Sequence, residues 1–145
     1  MPAVNKSLVV PYSAEQMYEL INGIESYPEF LPWCTATEIH SRNATALKAT
    51  LHLAKGPSSH SITTINTMKR NQHIAMEYIA GPFRTCTGAW RFVPIKKNKN
   101  CQVIFTMEYQ FNNKLSSIAI EPIFEPITNT LIDAFYARAK QIYGD

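Results

Sequence analysis

The sequence predicts an α+β fold in which a curved antiparallel sheet is wrapped around a long C-terminal helix, with short helices after the first strand. Three observations lead to this prediction. A short strand and a helix come first, a series of strand-like segments separated by turn residues follows as far as residue 111, and a helical pattern ends the chain. Strands grouped together, with helices at the ends, are typical of α+β domains. The length of 145 residues suits one domain over residues 1–145.

The first two elements are defined by the residues at their ends. Residues 3–10 are rich in Val and Leu and stop before Pro11, which lacks the N–H that a longer strand would use. Ser13 then begins a helix, because its hydroxyl can cap the first turn while Gln16 reaches back to complete a capping box. Asn22 and Gly23 end this helix.

A segment with two prolines follows, and it is unusually apolar. Residues 26–34 read SYPEFLPWC, which excludes a regular helix or a central strand. Irregular segments normally lie on the surface because their backbone groups need water, so large apolar side chains in one of them must cover something hydrophobic. Either they fill the core of the domain, or they form the lid of an apolar pocket. These side chains are Tyr27, Phe30, Leu31 and Trp33.

Six further strands are expected before the terminal helix. They span residues 34–42, 44–54, 58–68, 73–80, 85–95 and a last segment that ends at residue 111. A turn is expected at residues 55–57, and Gly81 with Pro82 predicts a hairpin or a bulge. The last strand alternates most clearly, with Val103 and Phe105 on a face that continues to Phe111. One face of this strand is packed and the other is wet.

From about residue 116 the apolar residues recur every three to four positions, which is the period of a helix. Pro122 and Pro126 lie near its start, and a proline inside a helix deletes a backbone hydrogen bond. We therefore expect a kink or a late helix start near Pro122, with the continuous part over residues 128–143.

The inward faces of these elements are rich in aromatic residues and Met. Such side chains suit an adaptable apolar pocket between the sheet and the last helix, but they would equally make a filled core. With the apolar segment described above, the candidate ligand-binding residues are Tyr27, Phe30, Leu31, Trp33, Ile74, Met76, Tyr78, Phe83, Trp90, Phe92, Phe105, Met107, Tyr109, Leu131 and Phe135.

Charge is segregated along the chain, although the net charge is only +3. Five Glu and no Lys or Arg lie between Lys6 and Arg42, whereas eleven basic and two acidic residues lie from Arg42 to Lys114, a balance of +9. Such a field favours RNA phosphates or an anionic membrane surface, and the alternative is a solvated face that keeps the protein soluble. The candidate contacts are Arg42, Lys69, Arg70, Arg84, Arg91, Lys96, Lys97 and Lys99.

Several classes of function find no support in the sequence. No phosphate loop, nucleophile elbow or His-Glu-x-x-His motif is present, and the four His have no ligand spacing, so no metal site is expected. Cys34, Cys86 and Cys101 are odd in number and widely spaced, which predicts reduced, mostly buried thiols. No transmembrane run and no signal pattern are found, and we expect a cytoplasmic protein.

Several motifs together resemble the RatA family of bacterial proteins, and the resemblance runs nearly from end to end. They are Val10-Pro11-Tyr12-Ser13 with Met17-Tyr18, Tyr27-Pro28-x-Phe30-Leu31-Pro32-x-Cys34, Gly81-Pro82-Phe83, Gly88-x-Trp90-x-Phe92-x-Pro94, Phe111-x-Asn113-Lys114-Leu115 and Ala134-Phe135-x-x-Arg138-Ala139-Lys140-x-x-Tyr143. The family is related to mitochondrial ubiquinone-binding proteins and belongs to the START-like, polyketide-cyclase-like superfamily. The resemblance therefore implies the helix-grip fold. The sequence departs from the family's expected regular helix at residues 121–126.

The resemblance implies a binding role and no enzymatic activity, in two versions. The first is a hydrophobic-ligand binding protein that holds ubiquinone or another polyprenyl lipid, supports respiration, requires no cofactor and contacts the inner membrane peripherally. The second is a ribosome-association toxin that binds the large ribosomal subunit and blocks subunit joining. We take the first as the leading hypothesis. The third hypothesis is a small-molecule enzyme like the cyclases of the superfamily. We rank it below the other two because the residues offer no acid–base set for it.

Overall fold

The structure, a computed structural model, describes residues 3–55 and 58–144. Its elements are β1 (Ala3–Val10), α1 (Ala14–Asn22), a 3-10 helix (Ile24–Glu29), β2 (Cys34–Arg42), β3 (Ala46–Lys55), β4 (Ser58–Lys69), β5 (His73–Ala80), β6 (Phe83–Ile95), β7 (Asn100–Phe111) and α2 (Lys114–Tyr143). The predicted turn at residues 55–57 lies, apart from Lys55, outside the described residues.

All seven strands form one antiparallel sheet in the order β1-β7-β6-β5-β4-β3-β2. Shifts of register interrupt the pairing of β2 with β3, of β4 with β5 and of β6 with β7, and such bulges increase the bend and twist of a sheet. One of them lies between Phe83 and Thr85, directly after the predicted Gly81–Pro82 break. The curved sheet packs against α2, which confirms the predicted α+β, helix-grip architecture.

The capping box of α1 forms as predicted. The Gln16 backbone N donates to the Ser13 Oγ at 3.1 Å, and the Ser13 backbone N donates to the Gln16 Oε1 at 2.9 Å. Gly23 is the C-cap, and its N–H donates to the Leu20 carbonyl. The proline-containing segment that follows is more regular than expected, because a 3-10 helix that includes Pro28 occupies its first half.

The predicted late start of the terminal helix is wrong. α2 begins at Lys114 and continues to Tyr143 with Pro122 and Pro126 inside it. Each proline removes the N–H partner of the carbonyl four residues earlier, which belongs to Ile118 and to Pro122 respectively. Ile118, Pro122 and Pro126 are all exposed, so water can reach this side of the helix. The opposite side is buried against the sheet, and this packing supports the helix through both prolines.

The three cysteines are free and buried, as the sequence predicts. Burial raises the pKa of the Cys34 and Cys101 thiols to about 11 and that of Cys86 to about 12. They are therefore protonated at neutral pH and pack as small apolar side chains.

Candidate apolar cavity and basic end

A cavity of about 110 Å³ lies between the inner face of the sheet and α2, and it is partly open to solvent. A buried water needs roughly 10–15 Å³ on the same measure, so the space suits a small ring rather than one water. The interior is therefore not completely filled by side chains. The residues that line the cavity are Ile21, Ile24, Tyr27, Trp33, Ala49, Leu51, Leu53, Ile62, Thr64, Asn66, Ile74, Met76, Tyr78, Phe83, Cys86, Gly88, Trp90, Phe105, Met107, Phe124, Ile127, Thr128, Leu131 and Phe135.

Eleven of the fifteen candidate ligand-binding residues lie on this wall, and whether they bind a ligand stays a prediction. They come from the proline-containing segment, from β5, β6 and β7, and from α2, which are distant in sequence. The alternation of each strand brings them to one face. They are Tyr27, Trp33, Ile74, Met76, Tyr78, Phe83, Trp90, Phe105, Met107, Leu131 and Phe135.

The other four candidates lie outside the cavity wall, and two of them pack against neighbouring rings. The Phe92 ring packs 5.8 Å from the Tyr18 ring, and the Tyr109 ring lies 4.9 Å from the Phe124 ring. The other two are Phe30 and Leu31 of the proline-containing segment.

The proline-containing segment fills the core and also borders the cavity. Leu31 is only 1% exposed within the core, and the Phe30 ring lies 5.6 Å from Phe135 and 5.0 Å from the Arg138 guanidinium. Tyr27 and Trp33 reach the cavity. The segment therefore contributes Phe30 and Leu31 to the packing of the core, and Tyr27 and Trp33 to the border of the cavity.

Aromatic contacts make one side of the wall rigid. The Trp90 ring lies 4.5 Å from Phe105 and 5.4 Å, at a right angle, from Phe135. Phe135 also contacts Tyr27 at 5.3 Å. Edge-to-face packing of this kind fixes ring positions, so the shape of the cavity here is set by α2.

The wall is softer over β6 and its neighbours. A Cβ at Gly88 would lie 3.0 Å from the Met76 Cε and 3.3 Å from the Met107 Cε, so the ends of two methionines cover this glycine. Methionine side chains have several rotatable bonds and change shape at small cost. The shape of the cavity can therefore change at small cost on this side.

The polar groups in the wall are few. The Thr64 Oγ1 donates to the Asn66 Oδ1 at 3.0 Å, and the Thr128 Oγ1 donates to the Glu125 carbonyl at 3.1 Å. The Tyr27 hydroxyl donates to the Ile21 carbonyl, and burial raises the pKa of Tyr27 far above its ordinary value. The Tyr78 hydroxyl accepts from the Phe83 backbone N at 3.2 Å. No charged side chain lines the cavity among the described residues.

Sequence reasoning missed the β3 and β4 part of the wall. Ile62, Thr64, Asn66 and Met68 alternate on β4, and the first three of them line the cavity. The sequence signal for this inner face was that Ile62 and Met68 share one face of the strand with the two polar residues between them. This signal was easy to miss in a Ser/Thr-rich strand, because polar residues usually lie on the outer face.

A groove on the outside meets the cavity at two shared residues. The groove has a volume of about 430 Å³. Trp33 and Ile127 line both spaces. These two side chains therefore separate the interior from the surface. The groove is lined by Pro32, Trp33, Ala54, Lys55, Ile123, Pro126, Ile127 and Thr130.

Most of the candidate basic residues gather at one end of the sheet, which we call the basic end. The β2–β3, β4–β5 and β6–β7 turns lie there, because hairpin turns alternate between the two ends of an antiparallel sheet. The basic end carries Arg42, Lys69, Arg70, Arg91, Lys96, Lys97 and Lys99. Arg84 is at the opposite end, at the start of β6.

The turns of the basic end are fixed to one another. The Met68 N donates to the Thr45 carbonyl at 2.8 Å, and the Phe92 N donates to the Gln72 carbonyl at 2.9 Å. The Ala14 N donates to the Asn98 Oδ1 at 3.3 Å, which ties the β6–β7 turn to α1.

An open groove of about 680 Å³ lies at the basic end, and Lys69, Arg70 and Arg91 are among its lining residues. His73 also lines it, and burial, followed by the nearby Arg91 charge, lowers the pKa of His73. Arg42 lies elsewhere on this end and is paired with Glu25, its Nη1 lying 2.5 Å from the Glu25 Oε2. Arg42 is thus less available to a polyanion than the other bases.

Within the described residues, no group of three or more His, Cys, Asp or Glu side chains could hold a metal ion. No helix in the described part of the chain is long and apolar enough to cross a membrane.

Residues 10–136 match the family described as polyketide cyclase/dehydrase and lipid transport. The chain is 37% identical to the ribosome association toxin RatA of Escherichia coli (strain K12), over 99% of this chain and 90% of that protein. It is 25% identical to the mitochondrial coenzyme Q-binding protein COQ10 homolog B of Xenopus laevis, over 97% of this chain and 59% of that protein.

Two solved structures have the same fold. The Zhui aromatase/cyclase of Streptomyces sp. R1128 superimposes with a TM-score of 0.84 at 15% identity, covering 97% of this chain and 94% of that one. A START superfamily protein from Mycobacterium smegmatis gives a TM-score of 0.80 at 17% identity, covering 97% and 98%. At these identities the likeness establishes the fold alone.

Proposed function

We propose that this chain is a non-enzymatic binding protein for a hydrophobic ligand. The chain belongs to the polyketide cyclase/dehydrase and lipid transport family and, within it, to the RatA proteins. The proposed ligand is ubiquinone or another polyprenyl lipid, which would serve respiration. The observation that carries the proposal is the partly open apolar cavity under α2. A relative at 25% identity is named as a coenzyme Q-binding protein. The cytoplasmic location expected from the sequence stays a prediction.

Burial of apolar surface is sufficient to hold such a ligand. Removing about 300 Å² of ligand surface from water, at about 25 cal/mol per Å², is worth about 7 kcal/mol before the costs of binding. No ion pair is needed for this, which agrees with the uncharged wall.

The cavity is large enough for the ring of the proposed ligand but too small for its polyprenyl chain. About 110 Å³ accommodates a ring but not a long polyprenyl chain. The chain would leave the interior between Trp33 and Ile127 and lie in the outer groove, which both residues also line. The peripheral membrane contact expected from the sequence would place this groove toward the lipid surface.

The ligand proposal is tested by extraction and by uptake. The protein is purified from its host, extracted with organic solvent and analysed by mass spectrometry, and purified protein is then titrated with ubiquinone. We expect a copurified quinone or polyprenyl lipid and saturable uptake. Absence of any lipid together with no uptake would overturn the proposal.

A second candidate function is association with the large ribosomal subunit through the basic end, which would block subunit joining. The favouring observation is that seven of the eight candidate bases lie on this end, three of them around one groove. Relatives at 34–37% identity are named ribosome association toxins. A contact with phosphates predicts binding that weakens steeply with salt.

Charge reversal tests this second candidate. The triple substitution Lys96→Glu, Lys97→Glu and Lys99→Glu should reduce cosedimentation with large subunits by at least tenfold at moderate salt, because three contacts with phosphates would become repulsive. Arg84→Glu reverses a single charge at the opposite end of the sheet and is the control for position, and it should cosediment as the wild type does. Equal cosedimentation of both variants would exclude the basic end as the contact.

A further inference from the structure

Asn66 is a buried polar residue in an otherwise apolar part of the wall. It lies on the inner face of β4, is 4% exposed, and lines the cavity. Its neighbours in register are Leu47 on β3 and Met76 on β5, neither of which carries an oxygen in its side chain. A buried amide in such surroundings is costly unless its hydrogen bonds are made.

Only the oxygen of the Asn66 amide is paired. The Thr64 hydroxyl, two residues earlier on the same face of β4, donates to the Asn66 Oδ1 at 3.0 Å. Within residues 3–55 and 58–144 this is the one hydrogen bond of the Asn66 side chain, and the Nδ2 is not among the fully buried atoms that lack a partner. Thr64 and Asn66 both border the cavity, so the Nδ2 is open to it. In this orientation the amide oxygen faces the Thr64 hydroxyl and the amide nitrogen is an unused donor.

An unused donor in an apolar wall distinguishes between ligands of similar shape. A ligand with a carbonyl-type oxygen can accept the Asn66 hydrogen bond, whereas a hydrocarbon of the same size leaves the donor unpaired. Sites built around a buried donor discriminate in this way because the penalty falls on the ligand that lacks the acceptor.

We propose that Asn66 is the specificity-determining residue of the cavity and donates a hydrogen bond from its Nδ2 to an acceptor oxygen on a flat apolar ligand. Thr64 is a positioning residue that holds the amide in this orientation. The inference rests on the proposed ligand-binding function and refines its substrate class to ring compounds that carry a carbonyl oxygen.

The test uses two probes that differ in their oxygens. Duroquinone (tetramethyl-1,4-benzoquinone) and durene (1,2,4,5-tetramethylbenzene) are similar in size, and the fully substituted quinone offers no open ring position to the Cys86 thiol. Each is titrated against the wild type and Asn66→Leu, which keeps the approximate volume, and binding is followed through the fluorescence of Trp90 and Trp33 or by calorimetry. The measured quantity is the ratio of the two affinities in each protein.

We expect the quinone-to-hydrocarbon affinity ratio to fall about tenfold in Asn66→Leu, the effect of one neutral hydrogen bond, while durene binds at least as tightly as before. Thr64→Val should lower the ratio by a smaller factor. Thr50→Val removes a buried hydroxyl on β3 that does not line the cavity, and it should leave the ratio unchanged.

An unchanged ratio in Asn66→Leu, with both probes still binding, would overturn the role of Asn66 and leave the ligand-binding function standing. Failure of the wild type to bind either probe would overturn that function and the inference together. Thermal unfolding of each variant establishes that it is folded. If the Leu variant does not fold, Asn66→Val removes the same donor with a side chain that suits a strand.

Discussion

The cavity and the basic end use the same sheet in opposite ways. The cavity is built from the inward side chains of the strands, is closed by α2 and has no charged residue in its described wall. The basic end is built from hairpin turns and exposed strand residues, and its groove is lined by three cations. Burial of apolar area depends little on salt, whereas phosphate contacts depend on it steeply. The two proposed functions can therefore be separated by substitution.

The largest effect is expected from removing the centre of the cavity wall. Phe135 is 1% exposed and contacts Tyr27, Phe30 and Trp90. Phe135→Ala should lower the free energy of unfolding by about 3–5 kcal/mol, because it leaves a void between α2 and the sheet. Denaturant unfolding measures this. A loss below about 1 kcal/mol would show that α2 does not close the cavity as described.

Trp33→Ala opens the cavity at the point where it meets the surface. Trp33 is partly exposed and separates the interior from the outer groove, so its removal should expose roughly 40 Å² of a bound ligand. We expect an affinity loss of about fivefold, mainly through faster dissociation, measured by stopped-flow displacement of a quinone. Binding to large ribosomal subunits should not change. Slower dissociation would contradict the role of Trp33 as a barrier.

Tyr27→Phe tests a hydrogen bond behind the wall. The Tyr27 hydroxyl is buried and donates to the Ile21 carbonyl. Its removal leaves that carbonyl unpaired and should cost about 1–2 kcal/mol of unfolding free energy, measured by urea titration. The ring remains, so ligand affinity should change by less than about twofold. Tyr78→Phe, at the other side of the cavity, is a useful comparison, because the Tyr78 hydroxyl accepts rather than donates.

The smallest effect is expected at the ion pair between Glu25 and Arg42, which is one of the bases of the basic end. The hydrogen bond from Arg42, against an opposing effect of burial, lowers the pKa of Glu25. A lowered pKa in the folded state contributes stability above the ordinary pKa of the carboxyl, and this is lost as pH falls through the lowered value. Because both side chains are substantially exposed, we expect Glu25→Gln to cost less than about 1 kcal/mol at neutral pH.

The difference between wild type and Glu25→Gln should shrink as pH falls and vanish once the pH lies below the lowered pKa of Glu25, where the carboxyl is protonated in both the folded and the unfolded state. Unfolding titrations over a series of pH values from neutral downward measure this. The variant also frees Arg42, so cosedimentation with large ribosomal subunits should strengthen if the basic end is the contact. A pair contribution that grows as pH falls would contradict the assignment.

The sequence contained most of the fold, because the elements carry strong local signals. The capping box at Ser13 and the alternation toward Phe111 act over a few residues and can be recognised without tertiary structure. The start of α2 could not be predicted in this way, since its first turns depend on packing of one side against the sheet and on exposure of the prolines. Propensity alone argues against helix at Pro122 and Pro126.

The site was less predictable than the fold. Strand alternation identified the inward residues of β5, β6 and β7 but could not show which of them a neighbour covers. Phe92 and Tyr109 face inward, yet Tyr18 and Phe124 cover them. Asn66 was missed for a different reason, because no alternation of apolar residues marks a polar residue on a Ser/Thr-rich strand as inward-facing. The clustering of seven bases at one end required the strand order, which no local pattern gives.

The separation of the two regions is tested most directly by one titration series with a short-chain ubiquinone. Three proteins are compared: the wild type, Leu131→Trp, which fills the cavity from α2, and the charge-reversed protein with Lys96→Glu, Lys97→Glu and Lys99→Glu. We predict saturable binding by the wild type, equal binding by the charge-reversed protein, and a loss of at least tenfold in Leu131→Trp. Equal binding by all three proteins, or loss in the charge-reversed protein alone, would contradict it.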